Sequence, residues 1–398
     1  MTTEERISVL MDFFQNNDLN DYWSEFQSVS FAIFDEEDVY LFNHPNYENN
    51  SQHPYVKLKR TNEFNGCTLI LFEEIPTAII DISYYDTNES LYSILVHELF
   101  HGHQYLNNES RFPNELLGVE YPTSAENIEI RNQERLALYN AIATNCFQEK
   151  ELYTQQFVSL RKLRQQKFPD FIEYENLLET IEGPAFYVEY LAYKNINLHK
   201  DGDVLYNYIN DLKDSNASIF NIRKSCYSSG LVSCLLLDIF SSSWKESLFN
   251  TSKTLFELLL ECVQSVSLEP IKISDQSTQL SKEMIDRKQK EIEDFQFIDA
   301  VEVIIEGNIK VVGFDPINII ALQNKRLYKT FVKIKLNDEV LTINKPTLIE
   351  KKEKDYCRIQ IKLSEKPLIQ KNVVKLRNIG DILGNVVSES DKQIIINI

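Results

Sequence analysis

Three of the chain's six histidines fall within seven residues, in the stretch SILVHELFHGHQY (93–105). Its centre, His97-Glu98-Leu99-Phe100-His101, has the spacing H-E-x-x-H. On a helix, positions i and i+4 lie one above the other, so both imidazoles can address a single ion. Zinc suits such a pair, because it accepts imidazole nitrogens and keeps an open position where it is catalytic. Glu98 lies about 100° around the helix from His97. Its carboxylate therefore stands beside the ion rather than on it, where a base takes a proton from attacking water.

Two histidines need a third ligand. Downstream, EGPAFYVE (182–189) carries Glu182 and Glu189 two helical turns apart, and Glu175 and Glu179 extend the same stripe upstream. Glu182 is the expected third ligand. Gly183 and Ala185 allow another helix to come close, Phe186 and Tyr187 supply burial, and a buried carboxylate needs a cation. Glu126, Glu129 and Glu134 are rival third ligands by their distance from the histidines. Glu189, Gln104 and Glu179 are expected to brace the ligands, Glu189 by holding a histidine in one tautomer. Glu175 reads equally well as part of a solvated acidic face. A hydrolytic site also wants a donor for the oxyanion. Tyr227 is the first candidate, and His103 is a second that reads more readily as a packing residue. His44, His53 and His199 lie in polar contexts (FNHPN, SQHPY, NLHKD) and are expected at the surface.

The elements that must hold these side chains change character along the chain. A short amphipathic helix (4–15) precedes strands. SFAIFDEEDVYLF reads as a hairpin, and CTLILFEE and TAIIDISYY follow, the latter leading into the histidine stretch. From 88 to 264 the apolar period is helical. SAENIEIRNQERLALYNAIATNCFQEKELYTQQF reads as one long helix, FIEYENLLETIEGPAFYVEYLAYKNI as another and CYSSGLVSCLLLDIF as a buried third. Pro184 is compatible with a helix that begins near it and would kink one that runs through it. Residues 265–298 read as a polar linker and charged helix. Residues 299–398 alternate and are β-branched, as in a small antiparallel β domain.

Composition narrows the partners. Residues 301–398 hold 17 Lys+Arg against 12 Asp+Glu, leaving the first 300 with 24 against 48 and the whole chain at −19. So acidic a body repels phosphate backbones and favours a neutral or basic peptide over nucleic acid. The N-terminus lacks the features of a signal peptide, and no apolar run is long enough to span a bilayer. A cytoplasmic protein without a membrane partner is expected. Six scattered cysteines with no Cys-x-x-Cys pair read as free thiols.

EGPAFYVE resembles the E-G-x-x-x-[YF]-x-E stretch of gluzincin aminopeptidases of the aminopeptidase N type, where the first Glu is the third zinc ligand. The chain is more similar still to a little-characterised group of bacterial gluzincin-like peptidases. It carries HELFHGHQ (97–104), ERLAL (134–138), ENLLETIEGPAFY (175–187) and YSSGLVSCLLLD (227–238), then Trp244 and GFDP (313–316), in that group's order. The resemblance covers most of the chain from about residue 60. It departs in the 80-residue separation of His101 from Glu182 and in lacking the export signal many relatives carry. The G-x-M-E-N stretch that grips a free N-terminus is also missing before His97. The resemblance implies an α+β fold. A zincin-like body would comprise an N-terminal sheet (1–87) and a helical active-site region (88–264), with the β domain behind it. It also implies a zinc metallopeptidase with ligands His97, His101 and Glu182. In that scheme Glu98 takes the proton of the zinc-bound water and passes it to the leaving amine, and an extended peptide pairs along TAIIDISYY. A zinc hydrolase of another bond and a non-catalytic zincin-like binding protein are the alternatives. Glu98 weighs against the latter, since binding zinc does not need it.

Overall fold

The computed structural model describes residues 2–48, 53–197, 204–315, 318–336, 339–353 and 356–398. His199 and Pro316 lie outside them. The chain is mixed α+β and divides into two compact units, 1–113 with 129–272 and 114–128 with 273–398.

The first unit opens with α1 (Thr3–Asn16), whose Thr2 and Glu5 form a reciprocal capping box. The expected hairpin follows as β1 (Ser30–Phe34) and β2 (Asp38–Phe42), then β3 (Val56–Lys59), β4 (Thr68–Phe72) and β5 (Ile75–Asp81). The sheet order is β3-β2-β1-β5-β4, with β1 and β5 parallel and the other pairs antiparallel. Both faces are covered. Phe31 and Ile33 of β1 enter the main core, while Ala32 and Phe34 enter a smaller one with Val39, Phe64 and Ile79. TAIIDISYY is therefore not a free edge. β5 is paired on both sides, and β4 is the edge strand beside it.

A short turn capped by Asp81 leads into α2 (Asn88–Leu106), which carries the histidines. Gly102 of that helix is needed for packing, because a Cβ there would meet Val29 Cγ2 at 2.3 Å. After α3 (Glu115–Val119), the expected long helix is two, α4 (Ala125–Ala143) and α5 (Phe147–Lys167). Thr144 makes the break, its hydroxyl accepting from the Cys146 N–H at 3.2 Å in place of a helical carbonyl. The next helix, α6 (Pro169–Ile196), runs unbroken through Pro184. Short α7 (Val204–Ile209) and α8 (Ala217–Phe220) precede α9 (Ile222–Phe240), and α10 (Trp244–Leu248) and α11 (Leu255–Cys262) close the unit.

α6 and α9 cross at two glycines. A Cβ on Gly230 would stand 2.6 Å from Gly183 Cα, and one on Gly183 would stand 2.8 Å from Gly230 Cα. Backbone therefore rests on backbone there, as the small residues beside Glu182 led us to expect.

In the second unit, α12 (Asp275–Gln296) packs Ile292 and Phe295 on Ile320, Leu327 and Leu348. The helix expected within a linker thus belongs to the β domain. The strands are β6 (Val301–Phe314), β7 (Ile319–Leu322), β8 (Lys325–Tyr328), β9 (Val332–Leu336), β10 (Glu339–Ile343), β11 (Thr347–Glu353) and β12 (Tyr356–Leu363). Five more follow, β13 (Leu368–Gln370), β14 (Val373–Leu376), β15 (Gly380–Leu383), β16 (Asn385–Glu389) and β17 (Gln393–Asn397). Together these strands form a nine-stranded sheet and a separate three-stranded one, β13-β14-β15, with every pair antiparallel except β17 with β6. No helix among the described residues is long and apolar enough to cross a membrane.

Candidate metal centre

The α6 stripe expected from sequence exists, its lower half set against arginines and its upper half against histidines. In the lower half, Glu175 and Glu179 are 1% exposed, so the solvated reading of Glu175 is wrong. Glu175 pairs with Arg131 and Arg164, while Arg161 spans the two oxygens of Glu179 at 3.0 and 3.1 Å. Glu134 is held by the same Arg161 and Arg164. Three guanidiniums and three carboxylates neutralise one another out of water, as buried charges must. Glu134 is thereby occupied and does not serve as a third ligand. Glu179, expected to brace a ligand, instead binds Arg161 and accepts from the Ser229 hydroxyl. Glu129 accepts from Gln133, and Glu126 belongs to the second unit.

The upper half faces α2. His97 Nε2 and His101 Nε2 lie 3.1 Å apart, and Glu182 Oε2 stands 3.5 and 3.4 Å from them. Hydrogen bonds behind the rings decide what these three atoms offer. Gln104 donates its amide N–H to the Ile181 carbonyl at 2.7 Å, so its oxygen faces His101 Nδ1 at 2.7 Å and must accept from it. Glu189 Oε2 lies 2.9 Å from His97 Nδ1 and likewise can only accept from a neutral ring. With both protons on Nδ1, both Nε2 atoms present lone pairs. Glu182 Oε2 is buried without a hydrogen-bond partner. With both rings neutral, three acceptors converge with no donor among them, an arrangement that a cation would satisfy.

The spacing can be tested against zinc. Tetrahedral ligands at 2.0–2.1 Å from an ion stand about 3.3–3.4 Å apart. The observed edges of 3.1, 3.4 and 3.5 Å fit that triangle. The electrostatics agree. Burial alone would lower the His97 imidazole, yet the Glu182 and Glu189 carboxylates raise it to about 10. Burial would raise Glu182, but His101 and His97 hold it well below the usual carboxylate range. Glu182, and then Glu98, raise His101 against the effect of its burial. The pocket attracts positive charge.

Glu98 is 5% exposed, and its Oε2 is buried with no hydrogen-bond partner. Burial raises its carboxyl, with His101 and His97 opposing. A carboxylate kept dry beside a cation site is ready to take a proton. Tyr227 stacks on His97, centroids 5.9 Å apart and planes 23° from parallel, and burial and then Glu182 raise its phenol. His103 is elsewhere. Its Nδ1 accepts from the Gln27 N–H at 3.0 Å, and its ring packs on Phe26, Phe100 and Phe249. It is a core residue.

His44 is also buried, at 3% exposure, with Nε2 3.1 Å from the Phe72 carbonyl, against the expectation of a surface position. Its ring packs edge-on against Tyr47 and Phe72, and the Phe72 carbonyl gives the buried nitrogen a hydrogen-bond partner. His53 is exposed as expected. Two residues at the site were not anticipated. Arg223 donates to Glu182 Oε1 at 2.6 Å, and the Tyr208 hydroxyl donates to Glu189 Oε1 at 3.3 Å. Arg223 lies four residues before Tyr227 on α9, a spacing that could have revealed it. Nothing local marks Tyr208.

A second group of potential ligands, Glu175, Glu179 and Cys226, also lies close together. Its carboxylates already hold arginines, so the need for a cation is met. All six cysteines are free. No family model, curated protein or solved structure matches this chain.

Proposed function

We propose that this protein is a zinc-dependent peptidase of the gluzincin type, with His97, His101 and Glu182 as the metal ligands. The observation that carries the reading is the triangle of three converging acceptors at tetrahedral spacing. Zinc bound there would supply Lewis acidity, making a water nucleophilic near neutral pH and polarising the carbonyl it attacks. Glu98 takes the proton from the attacking water and returns it to the leaving amine. Tyr227 donates to the developing oxyanion. Glu189 and Gln104 fix the imidazole tautomers and aim, and Tyr208 holds Glu189. An extended peptide adds along β4, the edge strand antiparallel to β5, through backbone hydrogen bonds. The acidic first 300 residues favour neutral or basic peptides, and six free thiols suit a reducing compartment such as the cytoplasm. A binding-only protein would have no use for Glu98, a buried carboxylate with an oxygen left unpaired at a cost.

The test is a peptide-library digest with the zinc-loaded wild type and Glu98→Gln. Cleavage by the wild type should fall by at least about 10²-fold in the variant, the usual range for a general base. Cleavage that survives in Glu98→Gln would remove Glu98 from its role. Stoichiometric zinc without cleavage of any peptide would redirect the reading to a different bond.

A further inference from the structure

The third ligand is a carboxylate, and a carboxylate can offer zinc one oxygen or two. Here its two oxygens have different surroundings. Oε2 is buried, lacks a hydrogen-bond partner and stands 3.5 and 3.4 Å from the two histidine nitrogens. Oε1 accepts from Arg223 Nη2 at 2.6 Å. We infer that Arg223 is a positioning residue that holds Glu182 as a one-oxygen ligand and so keeps the fourth coordination position open. This inference rests on the metal-site reading above.

Three features place Arg223 for that task. It sits four and seven residues before Tyr227 and Gly230, so all three share the α9 face turned to α6. The Gly183–Gly230 contact brings that face against the backbone beside Glu182, which makes the reach of Arg223 a consequence of the crossing rather than of a flexible side chain. Arg223 also lies in the first turn of α9, which has no acidic residue and where the helix dipole disfavours a cation. The Glu182 carboxylate compensates for that placement. With Oε1 committed, rotation of the carboxylate toward two-oxygen binding would break a charge-assisted hydrogen bond. A third protein ligand that took two positions would fill the place that substrate and water need. Because the Arg223 side chain is 31% exposed, its replacement leaves no fully buried charge unpaired on its own side.

Zinc affinity is a poor readout, since losing a nearby positive charge and loosening a ligand act in opposite directions. Coordination number is the better one. Cobalt(II) is added to the metal-free wild type, Arg223→Met and Arg223→Lys, and the visible d–d bands and X-ray absorption fine structure are recorded. Thermal unfolding of the metal-free proteins serves as the fold control. The wild type should show the intense bands of four-coordination. Arg223→Met should lose band intensity and gain an oxygen scatterer, and Arg223→Lys, which restores a charged donor, should return toward wild type. Bands in Arg223→Met equal to the wild type, or an equal loss in both variants, would overturn the clamp while leaving the metal site standing. A wild type that binds no cobalt would overturn the site reading and the clamp with it.

Discussion

Gly230→Ala tests whether the α6–α9 crossing positions the site. Alanine in place of glycine inside a helix normally stabilises it by about 1 kcal/mol. At this position the added methyl carbon would lie 2.6 Å from Gly183 Cα, 3.0 Å from the Glu179 carbonyl and 3.1 Å from Gly183 N. Carbon atoms pack comfortably at about 3.5–4.0 Å, so the helices must part by roughly 1 Å. Every contact is to backbone, so no side chain can turn aside. Overpacking of this kind costs about 1–3 kcal/mol, occasionally more, and it outweighs the gain in helix propensity. The net expectation is a loss of up to about 2 kcal/mol, or a fall in Tm of up to roughly 8 °C for a unit of this size. The displacement also carries Tyr227 and Arg223 away from Glu182, and a shift of about 1 Å can cost about 10²-fold in rate. The assay is urea and thermal unfolding of the metal-free protein, followed by peptidase activity of the zinc form. The sign decides the matter. A Gly230→Ala protein more stable than wild type by about 1 kcal/mol, the gain expected at an open helix position, would refute the close crossing.

Two further outcomes follow from buried charge. Arg161→Met should destabilise by about 3–5 kcal/mol, seen as a lower urea midpoint, because Glu134 and Glu179 then remain buried with too few cations. His103 should make the metal-free protein acid-sensitive. Burial lowers its imidazole to about 4, while in the unfolded chain it titrates near its ordinary 6.5. The unfolded state therefore binds the proton first. The stabilisation is complete above pH 6.5 and is lost as pH falls toward 4, by up to about 3 kcal/mol. Urea midpoints at pH 7.5 and 4.5 should differ less in His103→Phe than in wild type, and equal differences would contradict this.

The sequence was most informative where geometry is local. His97, Glu98 and His101 are set by one helix, so their spacing alone defines which atoms meet. Glu182 required a distant stretch, yet the small residues beside it signalled a close crossing, and Gly183 does touch Gly230. Chain order beyond the helix was not legible. TAIIDISYY looks the same as an edge or an interior strand, and only the pairing of β5 with both β1 and β4 separates the two. The stripe on α6 was visible, but not which cations it meets, because Arg131, Arg161 and Arg164 come from helices whose register against α6 is set by packing. Arg223 was missed for the same reason, and Glu179 was misassigned by it. His44 read as a surface residue because its neighbours are polar, whereas its burial comes from packing on Phe72, 28 positions away. Pro184 begins no helix, since α6 runs on either side of it. Helix packing on both flanks can offset one missing hydrogen bond.

The proposed cation would be held by two histidines of α2 and one glutamate of α6. Elemental analysis of the purified protein, after dialysis against zinc at controlled free concentration, measures this directly in wild type and Glu182→Ala. We expect about one zinc per chain in the wild type, and a marked loss at the same free zinc when Glu182 is removed. No zinc in the wild type, or full zinc retained in Glu182→Ala, would contradict the account.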